Sequence, residues 1–164
     1  MDYKNINAER AKNRAGEYAP GEIWVEVFSS IFMAAGRTPK SAEQIKTLEK
    51  EMIQARILAA NGHTVYLLPE QGPRGTKHPD AVVDGVIMEF KTITGNIRKI
   101  AGNYKAARKK AENVFLKVDA PLTRHAVTRK LSGVIREKGY MAGVIWAYFT
   151  NAGEMAYWTV DDLR

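Results

Sequence analysis

Hydrophobic and polar positions alternate along this chain with more than one period. Residues 1–20 are polar, with Lys4, Arg10, Lys12 and Arg14 and few large apolar groups. They predict an arm or loosely packed helix that ends at Pro20-Gly21. In "EIWVEVFSSIFMAAG", Ile23, Val27, Phe28, Ile31 and Phe32 recur at helical spacing, which predicts a helix closed by Gly36. After the linker "RTPKS", Ser41 with Gln44 three residues on forms a capping-box signal. The helix it opens would bury a stripe of Ile45, Leu48, Met52, Ala55 and Ala59 and end at Asn61-Gly62.

"HTVYLL" reads as a strand, and the proline- and glycine-rich residues 69–79 as a loop. A hairpin over 80–91, a basic helix at about 96–112 and the strand "NVFLKVD" follow. Next come a helix, "RHAVTRKLSGVIREKG", with Val127, Leu131, Val134 and Ile135 inward, and the strands "GVIWAYF" and "MAYWTV" joined at "TNAGE". The order predicts an α/β layered domain over 41–164, with 1–40 as an N-terminal helical arm.

The hairpin is where the pattern stops being ordinary. Asp84-Gly85 between apolar runs predicts a two-residue type I′ turn. Val83 then opposes Val86, Val82 opposes Ile87, Ala81 opposes Met88, and Asp80 opposes Glu89. Strand alternation puts Asp80, Val82, Ile87, Glu89 and Lys91 on one face. Directly opposed side chains have Cβ atoms about 4.5–5.5 Å apart. Two carboxylates at that distance repel unless they share a divalent cation, which takes hard oxygen ligands. Without metal, that repulsion would make Glu89→Gln neutral or stabilising by up to about 1 kcal/mol. The plain alternative is an edge hairpin with ordinary salt bridges, and Asp84 in the turn is a rival ligand. Glu51 falls on or beside the buried stripe of its helix, as a further ligand or as a structural glutamate.

Composition narrows the chemistry. The chain has 164 residues, 45% hydrophobic, enough for a real core. It has no cysteine, which excludes disulfides and thiolate metal sites. No apolar run approaches the ~18 residues of a membrane span, and "MDYKNINAER" lacks the apolar core of a secretory signal. The net charge of +7 suits a polyanionic partner such as nucleic acid. Arg98, Lys99, Lys105, Arg108, Lys109 and Lys110 on the basic helix are the candidate phosphate contacts, with Arg124, Arg129, Lys130 and Arg136 as a second set. A solvated helix face is the plain alternative for each set. His63 and His78 read as structural or loop contacts. Trp146, Tyr148, Tyr157 and Trp158 are either core residues or base-stacking groups.

"HPDAVVDGVIMEFK" resembles the P-D…(D/E)-x-K signature of restriction-endonuclease-like nucleases: Pro79-Asp80 supplies the first part and Glu89-Phe90-Lys91 the second. "EMIQARILAANGHTV" looks like that fold's first helix, with Glu51 as its glutamate. "ARKKAENVFLKVD" resembles the helix-to-strand step of C-terminal nuclease domains in contact-dependent growth-inhibition (CdiA-type) toxins. The resemblance spans about residues 41–119. It implies a central mixed sheet flanked by helices and a metal-dependent endonuclease over 41–164. Asp80, Glu89 and Glu51 would hold Mg²⁺ or Mn²⁺, and Lys91 would be catalytic. It implies tRNA as the favoured substrate, an immunity protein as partner, and action in the cytoplasm of a target cell. A DNA endonuclease of repair or restriction type on the same fold, and a non-catalytic basic nucleic-acid-binding module, are the competing readings.

Overall fold

Residues 3–69 and 78–164 are described by a computed structural model of the chain. The loop expected at 69–79 therefore lies mostly outside the described residues. By its contacts the chain divides into two units, Met1–Met88 and Glu89–Arg164. The division falls within a strand.

In the first unit, helix α1 (Tyr3–Tyr18) is followed by strands β1 (Trp24–Phe28) and β2 (Ile31–Ala34). Helix α2 (Ala42–Ala60), strands β3 (Val65–Leu67) and β4 (Ala81–Val83), and the start of β5 (Val86–Ile93) complete it. The strands lie in the order β1-β2-β3-β4-β5.

The helix expected over 23–36 is instead a hairpin, with Trp24 opposite Ala34 and Val25 opposite Met33. Over so short a run the helical and strand periods overlap, and the segment is rich in Val, Ile and Phe, which favour strands. Parallel pairing of Ile31 with Val65 and Phe32 with Tyr66 fixes the choice. Ser30 turns the chain at φ 64°, its N–H bonded to Glu26 Oε1 at 3.1 Å.

Helix α1 is not loosely packed. Ala11 and Ala15 are fully buried against Tyr66, Leu68 and Val82. Small side chains at these positions let the helix approach the strands closely, and Tyr18 at its C-terminal end packs against the same cluster.

The N-cap of α2 forms as expected, Ser41 Oγ accepting from Gln44 N at 3.1 Å. Gln44 reaches back one residue further than a capping box requires, to Lys40 N at 2.6 Å. The buried face is rotated from the expected stripe. It comprises Glu51, Gln54, Ala55 and Leu58, while Ile45 is 46% exposed.

The β4–β5 hairpin has the expected register: Val83 opposite Val86, Val82 opposite Ile87, Ala81 opposite Met88. Asp84 (φ 52°) and Gly85 (φ 90°) are both left-handed, as a type I′ turn demands. A Cβ on Gly85 would also stand 3.2 Å from Arg10 Cβ of α1.

The second unit holds the rest of β5, then α3 (Arg98–Arg108), β6 (Asn113–Val118), α4 (Arg124–Lys138), β7 (Val144–Phe149), β8 (Glu154–Thr159) and the short α5 (Val160–Leu163). Its strands lie in the order β5-β6-β7-β8, with β6 and β7 parallel and β7 and β8 antiparallel. Val114, Leu116, Val118, Ile145 and Ala147 form one core with Ile100 and Tyr104 of α3. The expected inward residues of α4, Val127, Leu131, Val134 and Ile135, are all buried in it. Thr123 Oγ1 caps α4 by accepting from Ala126 N, and Gly139 ends it at φ 65°.

Candidate functional site

Strand pleating places Glu89 and Lys91 on the same side of β5. Glu89 is a buried carboxyl group, 2% exposed. Lys91 Nζ lies 3.6 Å and Lys110 Nζ 3.4 Å from its Oε1. Lys110 comes from the turn just after α3, where its N–H bonds Ala107 O at 2.9 Å. Between them Phe90 points the other way and meets Phe115 edge-on, ring centroids 5.7 Å apart, which anchors this stretch of β5. With Glu89 ionised, one negative and two positive charges leave a local excess of one positive charge. The lysine side chains are 25% and 50% exposed, so both can also reach a ligand in solvent. That arrangement attracts an anion such as a phosphate.

In the first unit, Asp80 is half-buried. Its backbone is locked on both sides: its N–H donates to Met88 O at 3.1 Å and its carbonyl accepts from Leu68 N at 2.9 Å. Glu51 is buried, as its place on α2 suggested, but its Oε2 lies 2.5 Å from an Arg37 guanidinium nitrogen. Arg37 also donates to Leu68 O at 3.1 Å. Nothing in "GRTPKS" announces that partnership, because the two residues meet only through the fold. Asp84 is committed as well. Its Oδ1 accepts from Thr64 N at 2.8 Å and its Oδ2 lies 2.6 Å from His63 Nδ1, so His63 is a partner of the turn. Among the described residues, no three His, Cys, Asp or Glu side chains gather closely enough to hold a metal ion between them.

The basic helix does not behave as one set. Arg98, Lys99, Lys109 and Lys110 are exposed and Lys105 is half-buried. Arg108 is a structural staple. Its Nη1 donates to Ala142 O at 2.6 Å and Glu112 O at 2.8 Å, and its guanidinium stacks 4.3 Å from the Tyr140 ring centroid. In the second set, Arg129 and Arg136 are exposed and Lys130 is half-buried, while Arg124 lies 5.7 Å over the Trp158 ring. Trp158 is core, whereas Tyr157 is 46% exposed and meets Trp146 edge-on at 5.3 Å; Tyr148 is half-buried.

A further charged group escaped the sequence reading. Lys117 Nζ lies 2.7 Å from both oxygens of Asp119, and Thr150 Oγ1 donates to Asp119 Oδ1 at 2.7 Å. Burial alone would raise the Asp119 pKa. The hydrogen bonds from Lys117 and Thr150 and the lysine's charge outweigh that, and hold it below the usual value. The spacing Lys-x-Asp is visible in the sequence, but the threonine 31 residues on is not.

The strand order and the β6-α4-β7 parallel crossover define a mixed α/β protein. The family model of the contact-dependent growth inhibition CdiA C-terminal domain matches residues 77–146, which include Glu89, Lys91 and Lys110. A solved chain from the "CdiA-CT/CdiI toxin and immunity complex from Burkholderia pseudomallei" shares the fold with a TM-score of 0.56 and 21% sequence identity. The match covers 78% of this chain and 97% of that one. Comparison with curated proteins finds no match.

Proposed function

We propose that this chain is a toxin effector domain of the CdiA C-terminal type that hydrolyses phosphodiester bonds in RNA, tRNA above all, on a restriction-endonuclease-like fold. The observation that carries the reading is the buried Glu89 with Lys91 and Lys110 at 3.6 and 3.4 Å, inside the segment that the CdiA C-terminal model matches.

On this reading Lys91 orients the attacking water and steadies negative charge as it develops on the phosphoryl oxygens. Lys110 holds a neighbouring phosphate oxygen. Glu89 fixes both ammonium groups, and its burial strengthens that hold by excluding water. The water's oxygen bonds to phosphorus and gives up a proton, the bond from phosphorus to the leaving oxygen breaks, and that oxygen takes up a proton.

The available donors suit a hard cation: the chain has no cysteine, and His63 is engaged by Asp84. Magnesium is commonly held by one or two carboxylates together with substrate phosphates and water. By the P-D…(D/E)-x-K resemblance Asp80 and Glu89 would be the carboxylates for Mg²⁺ or Mn²⁺, while Glu51 is taken by Arg37. When bound, the ion would supply Lewis acidity and lower the pKa of a water. The resemblance to a toxin and immunity complex supports a dedicated immunity protein as the inhibitor, and action inside a target cell.

The test is incubation of the pure protein with total tRNA and with plasmid, each with Mg²⁺ and with EDTA. Cleavage of tRNA that needs Mg²⁺ and is lost in Lys91→Ala is the expected result. Cleavage of plasmid alone would make it a DNA endonuclease, and binding without any cleavage would make it a binding module.

A further inference from the structure

Helices α3 and α4 pack side by side, and their C-terminal ends enclose a groove of ≈ 540 Å³. Lys105, Arg108 and Lys109 line it from α3 and its end, and Lys138 and Tyr140 from the end of α4. Among the described residues, no acidic residue lines it. Among the described residues no carboxylate forms a salt bridge with Lys105, Lys109 or Lys138. Lysines at helix C-termini complement the helix dipole. That alone does not explain why two helices aim them into one shared concavity.

The fourth cation has another task. Arg108 binds the carbonyls of Glu112 and Ala142 and stacks on Tyr140, tying the loop after α4 to the end of α3. Gly143 is part of the same clamp. A Cβ there would stand 2.7 Å from Arg108 Nη1 and 2.3 Å from Glu112 O, and its φ is +122°. Arg108 therefore sets the position of Lys138 and Tyr140 across the groove.

We propose that this groove is a phosphodiester-backbone cradle, in which Lys105, Lys109 and Lys138 contact successive phosphates and Arg108 is a positioning residue that holds the two walls together. The inference rests on the nucleic-acid reading above and refines it. It brings α4 into the interface through Lys138 and removes Arg108 from the contacts.

The experiment measures affinity for labelled tRNA and for short duplex DNA against salt concentration, in EDTA on a Lys91→Ala background. Each lost phosphate contact lowers the log–log slope by roughly 0.7–0.9. Lys105→Gln, Lys109→Gln and Lys138→Gln together should lower it by about 2. A control triple, Lys12→Gln, Lys46→Gln and Lys50→Gln, removes the same charge from exposed positions of α1 and α2 and should leave the slope near that of the parent. Arg108→Lys keeps the charge but loses the fork, so it should weaken binding several-fold. If it unfolds, the lysine triples decide. An unchanged slope in the groove triple, or an equal loss in the control, overturns the cradle. A larger effect on tRNA than on duplex DNA assigns the groove to RNA, and the reverse assigns it to DNA. Failure of the unsubstituted protein to cleave any nucleic acid would overturn the nuclease reading while leaving the slopes to judge the groove.

Discussion

Glu51 and Glu89 are both buried, and each is neutralised in a different way. Glu51 is held by one guanidinium that is itself buried, so the pair has little water to fall back on. Removing one partner of such a pair costs about 3–5 kcal/mol, whereas replacing both by apolar groups is often neutral. Arg37→Met should therefore lower the unfolding free energy by about 3 kcal/mol, and Arg37→Met with Glu51→Leu should recover most of it in urea titrations. Glu89 has two longer contacts to lysines that reach solvent. The expectation that Glu89→Gln would be neutral or stabilising considered only repulsion from Asp80. With two ammonium groups beside the carboxylate the sign reverses, and the substitution should cost about 1–2 kcal/mol in EDTA. Asp119 gives a pH dependence. Its folded pKa lies below the unfolded value of about 3.9. Its contribution is thus fully present above that value and is lost as pH falls through the lower folded pKa. The stability gap between the parent and Asp119→Asn should be constant near neutrality and shrink once the pH drops below about 4.

At the scale of elements, local signals succeeded where a backbone geometry or a cap decides the outcome. The Asp84-Gly85 turn, the Ser41 cap and the Asn61-Gly62 stop of α2 all formed because each rests on a few adjacent atoms. The hairpin turn can be tested directly. Gly85→Ala places a Cβ at φ +90° and 3.2 Å from Arg10 Cβ, so strain and crowding act together. A loss of about 1–2 kcal/mol from the left-handed backbone alone is expected, read from the shift of the urea midpoint. The failures were elements whose identity depends on distant partners. β1 and β2 fit a helical period until Ile31 and Phe32 pair with Val65 and Tyr66. α1 has few large apolar groups, yet Ala11 and Ala15 bury because the strands offer Tyr66 and Leu68.

For the whole molecule, the net charge of +7 is consistent with the phosphate-binding reading. No helix among the described residues is long and apolar enough to cross a membrane. If the chain is a toxin effector, inducing it alone in a bacterial host should arrest growth within a few generations. Lys91→Ala should relieve the arrest at equal protein levels, and co-expression of a cognate immunity protein should do the same for the unsubstituted chain. Continued growth with the soluble, folded parent protein present would count against the toxin reading.

The sequence by itself determined the α/β class, the hairpin with its register and the inward face of α4. These follow from short-range rules: alternation, turn geometry and capping involve residues within a few positions of one another. Only the tertiary structure decided which charges are tied into the fold. Arg108, indistinguishable from its lysine neighbours in the sequence, spends its donors on Glu112, Ala142 and the Tyr140 ring. Glu51 is closed by Arg37, 14 residues away in the sequence. The reason is physical. A charge's role is set by its distance to partners and its access to water, and both are properties of the packed chain.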